Sequence, residues 1–198
     1  SSVAITDALE ADKVAGGGVF VHFDNISGKK AEVYVDTEVH NSGKRTRTVA
    51  VETVLADAGD VPVKRVSQQV KLQAGESKTV RQRFAVRNPK LWSPDSPYLY
   101  RIQSRVKAGH EVLDGGVTRV GIRKAEFKGK DGFWLNGKPF GQLVGANRHQ
   151  DFAYVGNALP NSQQWRDAKR LRDAGCTIIR VAHYPQDPAF MDACDEMG

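Results

Sequence analysis

His149 and His183 stand 34 residues apart, each just past an apolar run, in Asn147-Arg148-His149-Gln150-Asp151 and Arg180-Val181-Ala182-His183-Tyr184-Pro185. A neutral imidazole both donates and accepts a hydrogen bond, so two of them on one rim suit the hydroxyl groups of a ligand. Zinc would need a third ligand, which Asp151 would have to supply, and metal binding therefore ranks below hydroxyl recognition. Asp151 and Gln150 read equally well as ligand contacts or as residues bonding within a loop. Arg180 interrupts the otherwise apolar stretch from Thr177 to Ala182. In a strand covered on both faces it would be buried, at a cost unless a carboxylate or several carbonyls satisfy it. Either it braces a neighbouring loop or it keeps an acidic group ionised and oriented.

Two histidines share a rim only if parallel strands carry them, and the sequence from Lys124 onward has that order. Asp131-Gly132 and Asn136-Gly137, flanked by Phe127, Phe133, Leu135 and Phe140, predict small hairpins. Gln142 to Ala146 predicts a short strand, followed by a loop from Asn147 to Pro160. Asn161 with Gln164 resembles a capping box, and Trp165, Ala168 and Leu171 recur at helical spacing up to a C-cap at Gly175. Thr177 to Ala182 predicts a parallel strand buried on both faces. Asp187-Pro188 then opens a second helix, with Phe190, Met191 and Cys194 available for burial. Strand, helix, strand, helix is the grammar of a parallel α/β unit, whose ligand sites lie at the C-terminal strand ends. A complete eightfold barrel takes roughly 250 residues, so two of its eight units are expected here.

From about Val19 to Ile122 the period is two. Seven strands are expected, their inward faces formed by Val19, Val21 and Phe23; by Val33, Val35, Thr37 and Val39; by Val49, Val51, Thr53 and Leu55; by Val66, Val70 and Leu72; by Val80, Phe84 and Val86; by Tyr100, Ile102 and Val106; and around Val117 and Val120. Such spacing suits an all-β immunoglobulin-like sandwich, without the Cys and Trp pattern of antibody domains. No Ser, His and Asp set converges in this half.

Composition narrows the partners. The net charge is +6, but basic residues alternate with apolar ones, as in Arg81-Gln82-Arg83-Phe84, which reads as a solvated sheet face and not as a nucleic-acid stripe. No apolar run is long enough for a membrane span. Cys176 and Cys194 have neither a Cys-x-x-Cys partner nor a histidine at zinc spacing, and read as buried free thiols. The start, Ser1-Ser2-Val3-Ala4-Ile5, has neither an initiator Met nor an export signal, so the chain is expected to begin inside a longer protein.

Asn136-Gly137-Lys138-Pro139, Gly145-Ala146-Asn147-Arg148-His149, Ile179 through Pro185 and Cys194-Asp195-Glu196-Met197-Gly198 resemble consecutive blocks of the family 2 glycoside hydrolases, the β-galactosidase group. Asn88 through Tyr100 is similar to the segment leading into a late strand of that family's sandwich. The resemblance implies a sandwich over residues 1–123 and the opening of a catalytic (β/α)8 barrel over residues 124–198. It implies a retaining hydrolase of terminal β-galactosides whose acid/base and nucleophile glutamates lie beyond Gly198, leaving the 198 residues inactive alone. His149 and His183 would contact the sugar at the cleaved position, with Asp151 beside them, and Arg180 would hydrogen-bond the nucleophile. The implied partner is an oligosaccharide or β-galactoside; no cofactor, nucleic acid or membrane is implied, and homo-oligomerisation stays open. Gln150-Asp151 and Ala182 depart from the group's usual residues, so β-glucuronidase and β-mannosidase activities remain alternatives. The rival from another class is a non-catalytic carbohydrate-binding sandwich, which gives no reason for Arg180 and the two histidines.

Overall fold

Alternating apolar residues make the first unit a two-layered β structure in a computed structural model that describes residues 1–11, 13–14 and 16–198. This unit comprises Ser1–Lys90 and Tyr100–Ile122. Its strands are β1 (Val3–Ile5), β2 (Val19–Asp24), β3 (Lys30–Asn41), β4 (Arg47–Ala56), β5 (Pro62–Leu72), β6 (Ser77–Arg87), β7 (Tyr100–Ala108) and β8 (Glu111–Val120). In one sheet β3 pairs with β6 along one side and with β1 and β2, end to end, along the other; the second sheet runs β5-β4-β7-β8. All these pairings are antiparallel. The sheets share a core in which Val3, Val39 and Val80 meet Val49, Val51, Leu72 and Val106.

Three particulars of the sandwich differ from the sequence expectation. Val3–Ile5 forms a strand that extends the sheet beside Asn41, His40 and Val39, and Asp114 accepts the Ile5 N–H at 2.7 Å. Val117 is 62% exposed, because β8 is an edge strand and Leu113 supplies the inward contact there. The outward carboxylates are not solvated: Glu32, Asp36, Glu38 and Glu52 are all buried. Arg81 grips Asp36 through Nε at 2.8 Å and Nη2 at 2.6 Å, Arg83 reaches Glu32 at 2.6 Å, and Arg65 reaches Glu52 at 2.9 Å. The long basic side chains lie over shorter acidic ones, so each guanidinium stays wet while its carboxylate is covered.

The second unit comprises Leu91–Leu99 and Arg123–Gly198. β9 (Ala125–Phe127), β10 (Phe133–Leu135) and β11 (Lys138–Pro139) form a three-stranded sheet in the order β11-β10-β9. Asn136 and Gly137, at φ 52° and 80°, make the left-handed turn that joins the last two strands. The 91–99 stretch is woven into this unit. Trp92 Nε1 donates to the Asp195 carbonyl at 2.7 Å, and Asn136 Nδ2 donates to the Trp92 carbonyl at 2.9 Å. Arg123 lies 4.5 Å from the Trp92 ring centre, while Arg172 donates to the Pro94 carbonyl at 3.0 Å.

The α/β part runs β12 (Gly145–Arg148), α1 (Asn161–Asp173), β13 (Ile178–Val181) and α2 (Pro188–Met197). β12 and β13 are parallel, with Gly145 opposite Ile178, Asn147 opposite Arg180 and Arg148 opposite Val181. The arrangement is the opening of an open, incomplete barrel. β12 begins at Gly145, later than expected, and takes in Asn147 and Arg148, which the sequence reading had placed in a loop. Gly145 is required by close approach: a Cβ there would collide with the Ile178 carbonyl oxygen.

Helix α1 lacks the expected capping box. Its N-cap is Pro160, which has no side-chain donor or acceptor, and Asn161 is the first helical residue. Its other end closes in a Schellman arrangement: Gly175, at φ 83°, donates to the Arg172 carbonyl, and Cys176 donates to the Leu171 carbonyl. Helix α2 begins as expected, with the Asp187 carboxylate accepting the Ala189 N–H at 2.8 Å and Pro188 in the first turn. Ala168, Phe190 and Ala193 form the buried contact between the helices, joined by Trp165, Leu171 and Ile179. Met191, expected inside, is 49% exposed. β13 is mostly exposed, not covered on both faces, since β12 is the one strand paired with it among the described residues.

Candidate active site

Parallel pairing of β12 and β13 carries both histidines to the same end of the strand pair. The rings of His149 and His183 stand edge to face, with centroids 5.4 Å apart, and the Tyr184 ring lies 5.8 Å from His149. Both imidazoles are exposed. Gln150 ties the two rim segments together: its N–H donates to the Tyr184 hydroxyl at 3.2 Å and its Oε1 accepts the Asp187 N–H at 2.7 Å. Gln150 is thus a loop-bonding residue in this structure. Asp151 follows it on the surface.

Arg180 is exposed, not buried. Its Nη1 donates to the Asn147 side-chain carbonyl at 3.4 Å, a long bond to a neutral amide that leaves its positive charge unneutralised by that partner. The face shared by Asn147 and Arg180 therefore presents one amide and one guanidinium beside the two imidazoles.

The buried arginine is Arg148, a residue the sequence reading passed over. Side chains alternate along β12, so Arg148 points to the opposite face from Asn147, towards the helices. There its Nη2 donates to Gln164 Oε1 at 2.6 Å and to Asp167 Oδ2 at 3.0 Å, its Nη1 donates to Gln186 Oε1 at 2.5 Å, and its guanidinium covers the Phe190 ring. Gln163 and Gln164 are buried on α1. Gln163 also bonds Asp167, at 3.1 Å, and Arg166. The signal for this cluster was the spacing of Gln163, Gln164 and Asp167 on one helical face.

Among the described residues no group of three His, Cys, Asp or Glu is placed to hold a metal ion, so His149, His183 and Asp151 do not form the zinc set considered from the sequence. Cys176 and Cys194 are free thiols and only half-buried, short of the burial expected. Burial pushes the Cys194 thiol up, and Asp195 adds to the shift. Both cysteines line an apolar cavity of about 310 Å³ together with Trp92, Leu135, Phe140 and Phe190. None of His149, Asp151, Arg180 and His183 lines it.

The family model "Glycosyl hydrolases family 2" matches residues 18–123, and "Glycosyl hydrolases family 2, TIM barrel domain" matches residues 126–198. The chain belongs to glycosyl hydrolase family 2. A β-galactosidase of Thermoanaerobacter pseudethanolicus is 35% identical over 181 residues, which cover 91% of this chain and 24% of that protein. A putative β-glucuronidase of Formosa agariphila is 36% identical over 174 residues, covering 87% and 20%. The crystal structure of a putative β-galactosidase from Bacteroides fragilis superposes with a TM-score of 0.91 at 30% identity, covering all of this chain and 29% of that one. The family 2 chain described here thus spans about a quarter of the length of such relatives.

Proposed function

We propose that these residues belong to a retaining β-glycosidase acting on terminal β-galactosides, in which they build part of the sugar site. His149 and His183 bind hydroxyl groups of the sugar at the cleaved bond, with Asp151 as a further contact. Arg180 holds the carboxylate nucleophile ionised and aimed, and that carboxylate, like the acid/base, comes from outside the 198 residues. On this reading residues 1–123 are the supporting sandwich and residues 124–198 the start of the catalytic barrel.

The observation that carries the reading is the edge-to-face pair of exposed imidazoles, 5.4 Å between centroids, at adjacent parallel strand ends. Charge develops on the sugar ring in the transition state, and a hydroxyl contact that strengthens as it develops lowers the barrier. A guanidinium whose strand partner is a neutral amide suits a carboxylate of low pKa. The relatives named β-galactosidase and β-glucuronidase support the reaction class and leave two sugars in competition.

The test is kinetic, on the full-length protein. His183→Ala is expected to lower kcat and kcat/KM for a nitrophenyl β-galactoside together, by about 10²-fold, the equivalent of one lost hydrogen bond to a charged centre. Unchanged kinetics with a lowered melting temperature would assign His183 a structural role. A higher kcat/KM for the β-glucuronide would move the substrate, and the isolated 198 residues are expected to turn over neither.

A further inference from the structure

The backbone ladder between the two parallel strands stops short of the histidines. Its last rung pairs Arg148 with Val181, and among the described residues the last main-chain bond between the two segments runs from the Ala182 N–H to the Arg148 carbonyl at 3.0 Å. His149 and His183 each come one residue later, and both are exposed. Strand pairing therefore brings the imidazoles to one rim but does not by itself fix one ring against the other.

Gln150 carries the connection past the end of the ladder. Its N–H donates to the Tyr184 hydroxyl at 3.2 Å, and its side-chain Oε1 accepts the Asp187 N–H at 2.7 Å. Gln150 follows His149 and Tyr184 follows His183, so the first bond joins the residues next to the two imidazoles. The Tyr184 ring also meets His149 edge to face, 5.8 Å between centroids. The second bond ends on a fixed point, because the Asp187 carboxylate accepts the Ala189 N–H at 2.8 Å where helix α2 begins. Gln150, Tyr184 and Asp187 are all half-buried, so water competes less for these bonds than it would at the exposed rings.

We infer that Gln150 is a positioning residue: its two bonds tie the strand ends together and hold the His149 and His183 imidazoles in the mutual arrangement that meets the sugar. This rests on the glycosidase reading and adds to it the residue that makes the pair act as a unit. Groups that lower a barrier must be held within about 0.5 Å of their productive place by supporting hydrogen bonds and packing. Two side chains on separate strand ends satisfy that demand only when the ends are joined, and Gln150 joins them with a main-chain donor and a side-chain acceptor.

The test uses the full-length protein and the nitrophenyl glycoside of the accepted sugar. Gln150→Leu removes the acceptor at similar volume and is expected to lower kcat about tenfold with KM within about twofold, since misplaced groups cost the transition state more than the ground state. Gln150→Glu keeps an oxygen for the Asp187 N–H and should recover kcat to within about threefold of the wild type. Tyr184→Phe keeps the ring but loses the hydroxyl, and should lower kcat by about threefold. In a His183→Ala background, Gln150→Leu should cost less than about twofold more, because a residue that acts through the pair has little left to place. Fully additive losses, a Glu variant no better than the Leu one, or an unchanged kcat with a lowered Tm overturn the assignment. If Gln150→Leu does not fold, Tyr184→Phe and His183→Ala decide by the same cycle. A wild-type protein that hydrolyses neither the β-galactoside nor the β-glucuronide removes the glycosidase reading and this inference with it, whereas an active enzyme indifferent to Gln150→Leu removes the inference alone.

Discussion

The Arg148 guanidinium carbon lies 3.9 Å from the centre of the Phe190 ring. That stacking joins the first strand of the barrel to its second helix, while the same guanidinium reaches Gln164 and Asp167 on the first helix and Gln186 on the second rim segment. One side chain therefore holds the layers behind the histidine pair. The arrangement combines a planar fork of donors with an apolar face, which lysine lacks.

Arg148→Met should be costly to the second unit. It leaves Gln164, which is almost wholly buried, without the Arg148 donor, and the partly covered Asp167 with the Gln163 amide in place of a charged partner. Hydrogen bonds to a charged group are worth about 1.5–3 kcal/mol each, and residual hydration of Asp167 puts the expected loss near ~3 kcal/mol in total. Arg148→Lys should recover less than half of it. Denaturant unfolding of the full-length protein, followed by hydrogen exchange at β12 and β13, measures both; a loss below ~0.5 kcal/mol for Arg148→Met would show the network to be dispensable.

Acid should weaken the sandwich through Glu32. Hydrogen bonds from Lys30 first, then Arg83 and Asn25, hold its carboxyl down from 4.5 to about 2. A depressed folded-state pKa contributes stability that is present above the unfolded value and is lost as pH falls through the folded one. The window is therefore between about pH 4.5 and pH 2. Asp36, lowered by its hydrogen bonds from Arg81, acts with the same sign. A Glu32→Gln variant should show a shallower decline of Tm across this window than the wild type, and parallel curves would remove Glu32 from the account.

Gly145→Ala should open the strand pair. Its new methyl would meet the Ile178 carbonyl oxygen, which is backbone and cannot swing aside, so β12 and β13 must part. Overpacking of this kind costs about 1–3 kcal/mol. The expected signature is faster amide exchange over Ile178–Val181 with the sandwich amides unchanged; undisturbed protection would mean the strands shift at no cost.

The sandwich was legible because a half-buried strand writes its burial into every second residue: Val33, Val35, Thr37 and Val39 repeat that period, and all are buried. The turns at Asn136-Gly137 and Asp187-Pro188 were legible because each rests on local chemistry. What escaped depended on partners distant in sequence. Val3–Ile5 is too short to show a period, and is a strand because Val39 to Asn41 pair with it. Gln142-Leu143-Val144 is as apolar as a strand, yet pairing starts at Gly145, where the absent side chain lets Ile178 approach. Of the two arginines beside the histidines, the sequence pointed to Arg180 because its neighbours are apolar, but burial followed strand direction and fell on Arg148. The carboxylates beneath Arg81, Arg83 and Arg65 escaped because a solvated sheet face, legible from Arg81-Gln82-Arg83-Phe84, does not reveal which shorter side chains the arginines cover.

The chain passes between its two units three times, at residues 90/91, 99/100 and 122/123, and the Trp92 indole is lodged in the unit that follows, bonded to Asp195 and capped by Arg123. A recombination joint drawn at the obvious linear border near Ile122 would carry β9 through α2 away without that indole and without the Pro94 carbonyl that Arg172 uses. The opening of the barrel is therefore not a cassette that starts at the border: gene shuffling that keeps it intact has to inherit residues 91–99 as well.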